Sequence, residues 1–196
     1  MFNQAFWISL RILIFRAGPE DFPFDGSRRL LGACVALAFI VNVFAGAVAL
    51  PLYASLFTAL AVVGSYAVTA RSALVRRGLM NRFQQTLNAL LVTNALLTLA
   101  VLPALIQIAP VIIEFIHQVQ QNPDLANHAE QWPHVGLGLE LWFDLTFIWQ
   151  FAIGAYIFKR ATNTSALVGV LFVLMLGLVM LGLNFFASLL VAMTMA

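Results

Sequence analysis

Apolar residues run along this chain in long blocks, and the polar residues collect between the blocks instead of alternating with them. The blocks cover roughly residues 30–49, 53–70, 87–113, 135–158 and 165–195. A helix needs about 20 predominantly apolar residues to cross the hydrocarbon of a bilayer, so the pattern predicts five transmembrane helices. Pro51 separates the first two blocks, which places a tight helical hairpin there. One uninterrupted helix over both would be about 60 Å long at about 1.5 Å per residue, twice the hydrocarbon thickness. The third block is overlong and carries Pro103 and Pro110. A kink is expected near Pro103, with the far end projecting past the bilayer.

The opening stretch, residues 2–16, is apolar but too short to span. Arg11 and Arg16 interrupt it, and Phe6 and Trp7 lie near its start. It reads as an amphipathic helix lying in the interface. Arg11 and the lack of a small-residue cleavage site argue that it is retained and is not a signal peptide. Residues 17–26 contain two Pro and two Gly, which end that helix. The chain thus divides into an interfacial helix and loop over 1–29 and a five-helix domain over 30–196. The fold class is all-α, a polytopic transmembrane bundle.

Composition agrees with the pattern. Of 196 residues, 62% are hydrophobic and 9% charged. A soluble domain is nearer half apolar and a quarter charged. The net charge of +2 does not point to nucleic acid, because the ten basic residues form no single patch. The one cysteine, Cys34, lies inside an apolar block, so no intrachain disulfide exists.

The placement of charge carries more information than its sum. The basic residues are Arg11, Arg16, Arg28, Arg29, Arg71, Arg76, Arg77, Arg82, Lys159 and Arg160. With five spans, all of them fall on one side, while the Pro51 turn, the 117–134 loop and the C-terminus carry none. The positive-inside rule puts the N-terminus in the cytoplasm and the C-terminus in the periplasm or outside, as expected for a bacterial inner membrane. Arg71, Arg76, Arg77 and Arg82 set this topology and can also meet anionic lipid.

Several polar residues are costly where they stand. Glu140 and Asp144 are four apart in the fourth span and share a face. Asp144 lies about 22 Å from Lys159 at about 1.5 Å per residue, inside the outer half of the bilayer. A carboxylate there costs at least about 2.5 kcal/mol, so it is expected to face the interior, a wet cavity or a partner. No Lys or Arg of this chain reaches that depth. Asn42, Asn88, Asn94 and Asn184 are span amides of the kind that bond across helices, and Asn184 is expected to pair with Asp144. Glu114 and His117 are three apart at the end of the third block. With His134, Glu140 and Asp144 they offer an unspecific set of metal donors, and a wet helix face is the simpler reading. Gly32 and Ala36 allow close packing in the first span. No phosphate-binding loop, zinc-protease, dinucleotide or nucleophile-elbow motif occurs, so no catalytic residue, cofactor or metal is assigned.

The short Arg-containing N-terminal helix, the segment Arg16-Ala-Gly-Pro-Glu-Asp-Phe-Pro-Phe24 and the five spans that follow resemble the bacterial branch of the Yip1-like family of small five-span membrane proteins. The resemblance is one of plan and covers most of the chain. It implies a non-enzymatic membrane protein concerned with partner binding or membrane organisation, and it transfers no functional residues. Small size, missing motifs and the acidic face of the fourth span favour an accessory or scaffold subunit that contacts lipid and another membrane protein or a second copy. A small transporter or channel component using Asp144 and Glu140 is the alternative, and a membrane metalloenzyme a third.

Overall fold

The computed structural model describes residues 2–24, 28–122, 124–125, 133 and 135–195, with the side chains of 184 and 186–195 excepted. The described residues form six α-helices: α1 (Phe2–Leu13), α2 (Arg29–Ala47), α3 (Leu52–Val75), α4 (Phe83–Gln121), α5 (Leu137–Thr162) and α6 (Ala166–Met195). Five of them, α2 to α6, are long and apolar enough to cross a membrane. The protein is an all-α polytopic membrane bundle.

The hydrophobic pattern located the helices well, and the boundaries moved for physical reasons. The α3 helix runs on through Arg71 to Val75, because a basic side chain at a helix end can extend toward the aqueous boundary. The third block becomes one continuous helix of 39 residues, about 58 Å long, with both prolines inside it. Neither proline can donate to its i−4 carbonyl (Leu99 and Ile106), yet the helix continues, with side chains bonding carbonyls close by. Trp142 of α5 donates its indole N–H to the Ala100 carbonyl at 3.0 Å, and Gln107 donates to the Pro103 carbonyl at 3.2 Å. The polar stretch expected as a loop from residue 117 is helical as far as Gln121.

The α4 helix is the hub. Residues 86–95 are buried without a break, so α4 is covered on every side over nearly three turns. It packs against α1, α2, α3 and α5, while α6 closes the far side against α3 and α5. Leu87, Leu90 and Leu91 of α4 meet Ile153 and Ile157 of α5 and Tyr66 and Ala70 of α3 in one core. Large apolar side chains also cover the outside of the bundle, as they must where lipid is the solvent.

At the basic end the entry segment is fastened tightly. Phe15 follows α1 in the left-handed conformation (φ 58°), which is costly for a bulky residue. Its ring meets Trp149 and Tyr156 edge-on, with centroids 5.4 and 5.2 Å apart. The Phe15 carbonyl accepts from the Tyr156 hydroxyl (3.3 Å), and the Leu13 carbonyl accepts from the Trp149 indole (3.0 Å). A 3-10 turn at Pro19–Asp21 follows, closed by the Asp21 carboxylate accepting from the Gly18 N–H. Gln85 donates to the Phe22 carbonyl at 2.7 Å, and Arg160 of α5 pairs with Glu20. Half-buried Arg82, assigned from sequence to topology or lipid, donates to Asn163 Oδ1 at 3.1 Å and so links the start of α4 to the α5–α6 turn.

Close helix approaches occur at other glycines than the expected pair. Gly32 has open space around it, and Gly32 and Ala36 are exposed. The tight crossing is α5 on α6. A Cβ at Gly169 would collide with the Ala155 carbonyl oxygen and lie 3.2 Å from the Lys159 nitrogen. Backbone atoms cannot yield as a flexible side chain would, so Gly169→Ile should cost about 1–3 kcal/mol. The midpoint of unfolding in mixed micelles should fall accordingly, with Gly32→Ala unchanged. Equal midpoints for the two variants would refute the close crossing.

Candidate functional site

In hydrocarbon an amide has no water to bond, so it must find a partner in the protein. Asn42 of α2 donates to Asn94 Oδ1 of α4 at 2.8 Å and to the Ala38 carbonyl of its own helix at 2.7 Å. Asn94 also interacts with the Tyr66 hydroxyl of α3. Gln150 of α5 donates to that same hydroxyl at 3.3 Å. Asn42, Asn94, Tyr66 and Gln150 therefore form one polar cluster joining four helices. Thr93, beside Asn94, satisfies itself on the Ala89 carbonyl at 2.7 Å. The cluster carries no ionisable acid or base that is charged near neutrality.

Counted along the helices, the cluster lies about half a hydrocarbon thickness from the basic end. Gln150 is nine residues from Lys159 and Asn94 twelve from Arg82, placing them about 14 and 18 Å from the basic end at about 1.5 Å per residue. Beside it, bounded by α3, α4, α5 and α6, is a cavity of about 560 Å³. Tyr66, Thr93, Asn94 and Gln150 supply its polar edge, and the remaining wall is apolar. Four lining residues of α5 and α6 are exposed: Phe147 is 67% exposed, Leu174 51%, Leu178 70% and Leu181 68%. The mouth thus opens sideways, toward lipid.

The residues singled out from the sequence are distributed as follows. Asn94 is in the cluster. Asn42 makes the expected interhelical bond, and Asn88 does not: it is fully buried and neither amide atom has a partner among the described residues, as is also true of the buried Thr69 hydroxyl of α3. Glu140 belongs to the first turn of α5, where its carboxylate accepts from the Val135 N–H at 3.2 Å. A carboxylate suits the positive end of a helix dipole, so this acid has a local structural task. Asp144 is exposed, with no hydrogen bond or ion pair among the described residues, and it does not line the cavity. The interior location that sequence allowed for it is not the one adopted.

Glu114 accepts from Gln118 at 3.2 Å and, with Pro110, Phe115 and Pro133, borders a second hollow of about 530 Å³. His117 is exposed on the same helix. His134 and the Asn184 side chain lie outside the described residues, and with them the expected Asp144–Asn184 pair. Among the described residues no three His, Cys, Asp or Glu side chains gather in a way that would hold a metal. Arg71, Arg76 and Arg77 are exposed at the basic end.

Sequence reasoning missed Tyr66 and Gln150. Both are long side chains with a polar tip inside an apolar block, the same signal that drew attention to the asparagines. No protein-family model, no curated protein and no solved structure matches this chain.

The Asn42–Asn94 bond admits a direct test. Interhelical hydrogen bonds in membrane proteins contribute about 0.6 kcal/mol on average and up to about 1.7. A double-mutant cycle of Asn42→Ala and Asn94→Ala should give a coupling energy in that range. Additive losses would show that the two amides do not act on one another.

Proposed function

We propose that this protein is an accessory or scaffold subunit that acts through helix–helix contacts with a different membrane protein, which bears a cation at the depth of Asp144. The observation behind this reading is the exposed, unpartnered Asp144 carboxylate. Residues 141–145 and 147–149 are all exposed; Trp142 and Trp149 reach back to carbonyls of α4 and of the end of α1, while Asp144 makes no such bond among the described residues. A carboxylate facing lipid costs at least about 2.5 kcal/mol at depth, and a Lys or Arg opposite it removes that cost. A second copy of the chain cannot supply the cation, because all ten of its basic residues lie near the other end of the bundle. That argues for a heterologous partner over a homo-oligomer. The apolar outer part of α4, with Ile106, Val111, Ile112 and Ile116 exposed, extends the same surface.

The plan-level resemblance to the Yip1-like family agrees with a binding role. A transporter using Glu140 and Asp144 would need both acids on one path. Glu140 is committed to the start of α5, and neither acid lines the large cavity. The orientation belongs to the same reading: N-terminus in the cytoplasm of a bacterial inner membrane, C-terminus outside, with Arg71, Arg76 and Arg77 at the cytoplasmic leaflet.

Two experiments test it. A photo-crosslinking residue at Leu141, one helical turn from Asp144, should form an adduct in native membranes with a protein whose span carries Lys or Arg. Asp144→Leu should lower that adduct at least tenfold, and Asp144→Glu should retain it. An adduct with a second copy alone, or yields indifferent to Asp144→Leu, would overturn the proposal. For orientation, Cys34→Ser carrying Ser165→Cys should react with an impermeant maleimide only after the membrane is opened. The same background carrying Gly136→Cys should react in intact cells, and the reverse pattern would invert the topology.

A further inference from the structure

The cavity beside the polar cluster is independent of Asp144, and its chemistry specifies an occupant of its own. Its volume, about 560 Å³, falls in the range of small-molecule sites, about 300–1,000 Å³. Its mouth lies between α5 and α6 and opens to lipid, so an occupant arrives dissolved in the bilayer. The wall is apolar, with the rings of Tyr66, Phe147 and Phe151 among the lining. Planar rings pack well against such side chains.

The polar edge fixes the remaining chemistry. Tyr66 and Gln150 together own three N–H or O–H donors, one on the phenol and two on the amide. One hydrogen bond joins them. If the amide donates, the hydroxyl, which also meets Asn94, is engaged and one Gln150 N–H is free. If the amide is turned over, the phenol donates to Gln150 Oε1 and both amide N–H groups are free. Either way Gln150 carries a surplus donor in a medium without water. An unmet polar group buried there costs about 1–3 kcal/mol. A ligand that brings an acceptor oxygen removes that cost.

That oxygen must sit near the midplane, about 14 Å from the basic end. A phospholipid keeps its esters and headgroup at the boundary, and a charged group pays heavily to move inward. A fatty carboxylate is disfavoured for the same reason, and no cation lines the cavity to receive it. We propose that the cavity bounded by α3, α4, α5 and α6 binds a neutral, ring-bearing lipophile of the membrane-quinone class, with a ring carbonyl accepting from Gln150 beside Tyr66 and the tail leaving between α5 and α6. Binding alone is inferred; no electron transfer is attached to it.

The test uses the full chain in nanodiscs free of quinone, with a decyl-tailed benzoquinone as probe and quenching of tryptophan fluorescence as the readout. Trp149 adjoins Gln150 in sequence and reports on the site. Saturable quenching is expected above the partitioning seen with empty nanodiscs. Gln150→Leu should weaken it at least tenfold. Gly177 lines the cavity and has open space at its Cβ, so Gly177→Leu should fill the site and abolish saturation while leaving the unfolding midpoint unchanged or raised. Decylbenzene, which lacks the carbonyls, should compete at least tenfold less well than the quinone. Non-saturable quenching, equal competition by decylbenzene, or affinity unchanged in Gln150→Leu would each overturn the proposal.

Discussion

The hydrogen bond from Asn42 to Asn94 inside hydrocarbon is the constraint on which the rest of this bundle depends. Each amide would cost several kcal/mol facing lipid without a partner, so α2 and α4 must present these faces to one another. That choice sets the rotation of α4 about its axis. Once Asn94 points inward, Thr86, Leu90 and Thr93 follow it into the core, and α4 becomes the helix the others surround. Tyr66 and Gln150 then extend the cluster to α3 and α5. In a soluble protein the core would be apolar and the polar groups outside. Here the solvent is as apolar as the core, so polar side chains are what mark the inside.

A second constraint acts at the basic end. Phe15 is held in a left-handed conformation that its side chain disfavours, and two aromatic residues of α5 compensate with ring contacts and with hydrogen bonds to carbonyls at the end of α1. The exposed Glu20–Arg160 pair contributes little by itself, as surface ion pairs do. It acts together with Gln85 and Arg82, which reach across to neighbouring segments. The α1 helix is therefore attached to the bundle through one face, and only its other face, with Phe2, Phe6 and Trp7, is left for lipid. The α5 helix is pinned at this end.

How much of this was legible follows from which signals are local. Span positions were, because a run of apolar residues answers directly to hydrocarbon thickness. The polar candidates were partly so: Asn94 and Asn42 are conspicuous in an apolar block. Tyr66 and Gln150 were equally present but read as ordinary span residues, since only the packing of α3 against α5 brings their tips together. The continuity of α4 through Pro103 and Pro110 was not legible, because proline forbids one hydrogen bond without saying whether a neighbouring helix compensates. Trp142 of α5, 42 residues from Ala100, bonds the carbonyl next to that of Leu99, for which Pro103 has no N–H to donate. The glycines show the same limit. Gly32 and Ala36 have the spacing of a packing motif yet face outward, whereas Gly169, which has the same spacing from Ser165, sits where α6 touches the backbone of α5.

Two kinds of polar group occur in the membrane part, and they are separated by charge and by direction. The interior cluster is neutral throughout, while Asp144, the one acid deep in a span, points outward. The separation follows from cost. A neutral amide or phenol can be satisfied by a few well-placed hydrogen bonds, so it tolerates an interior shared with a neutral ligand. A carboxylate requires a counter-charge, water or a proton, and the bundle offers no basic residue at that depth. Placed in the cavity, Asp144 would repel any carbonyl oxygen and draw water into an apolar chamber. Placed on the outer face of α5, it leaves the chamber dry and transfers the demand for a counter-charge to whatever packs against that helix. Residues 144 and 150, less than two turns apart on α5, thus put opposite requirements on their surroundings. On the two proposals, one helix would serve an interior site and an external contact at once.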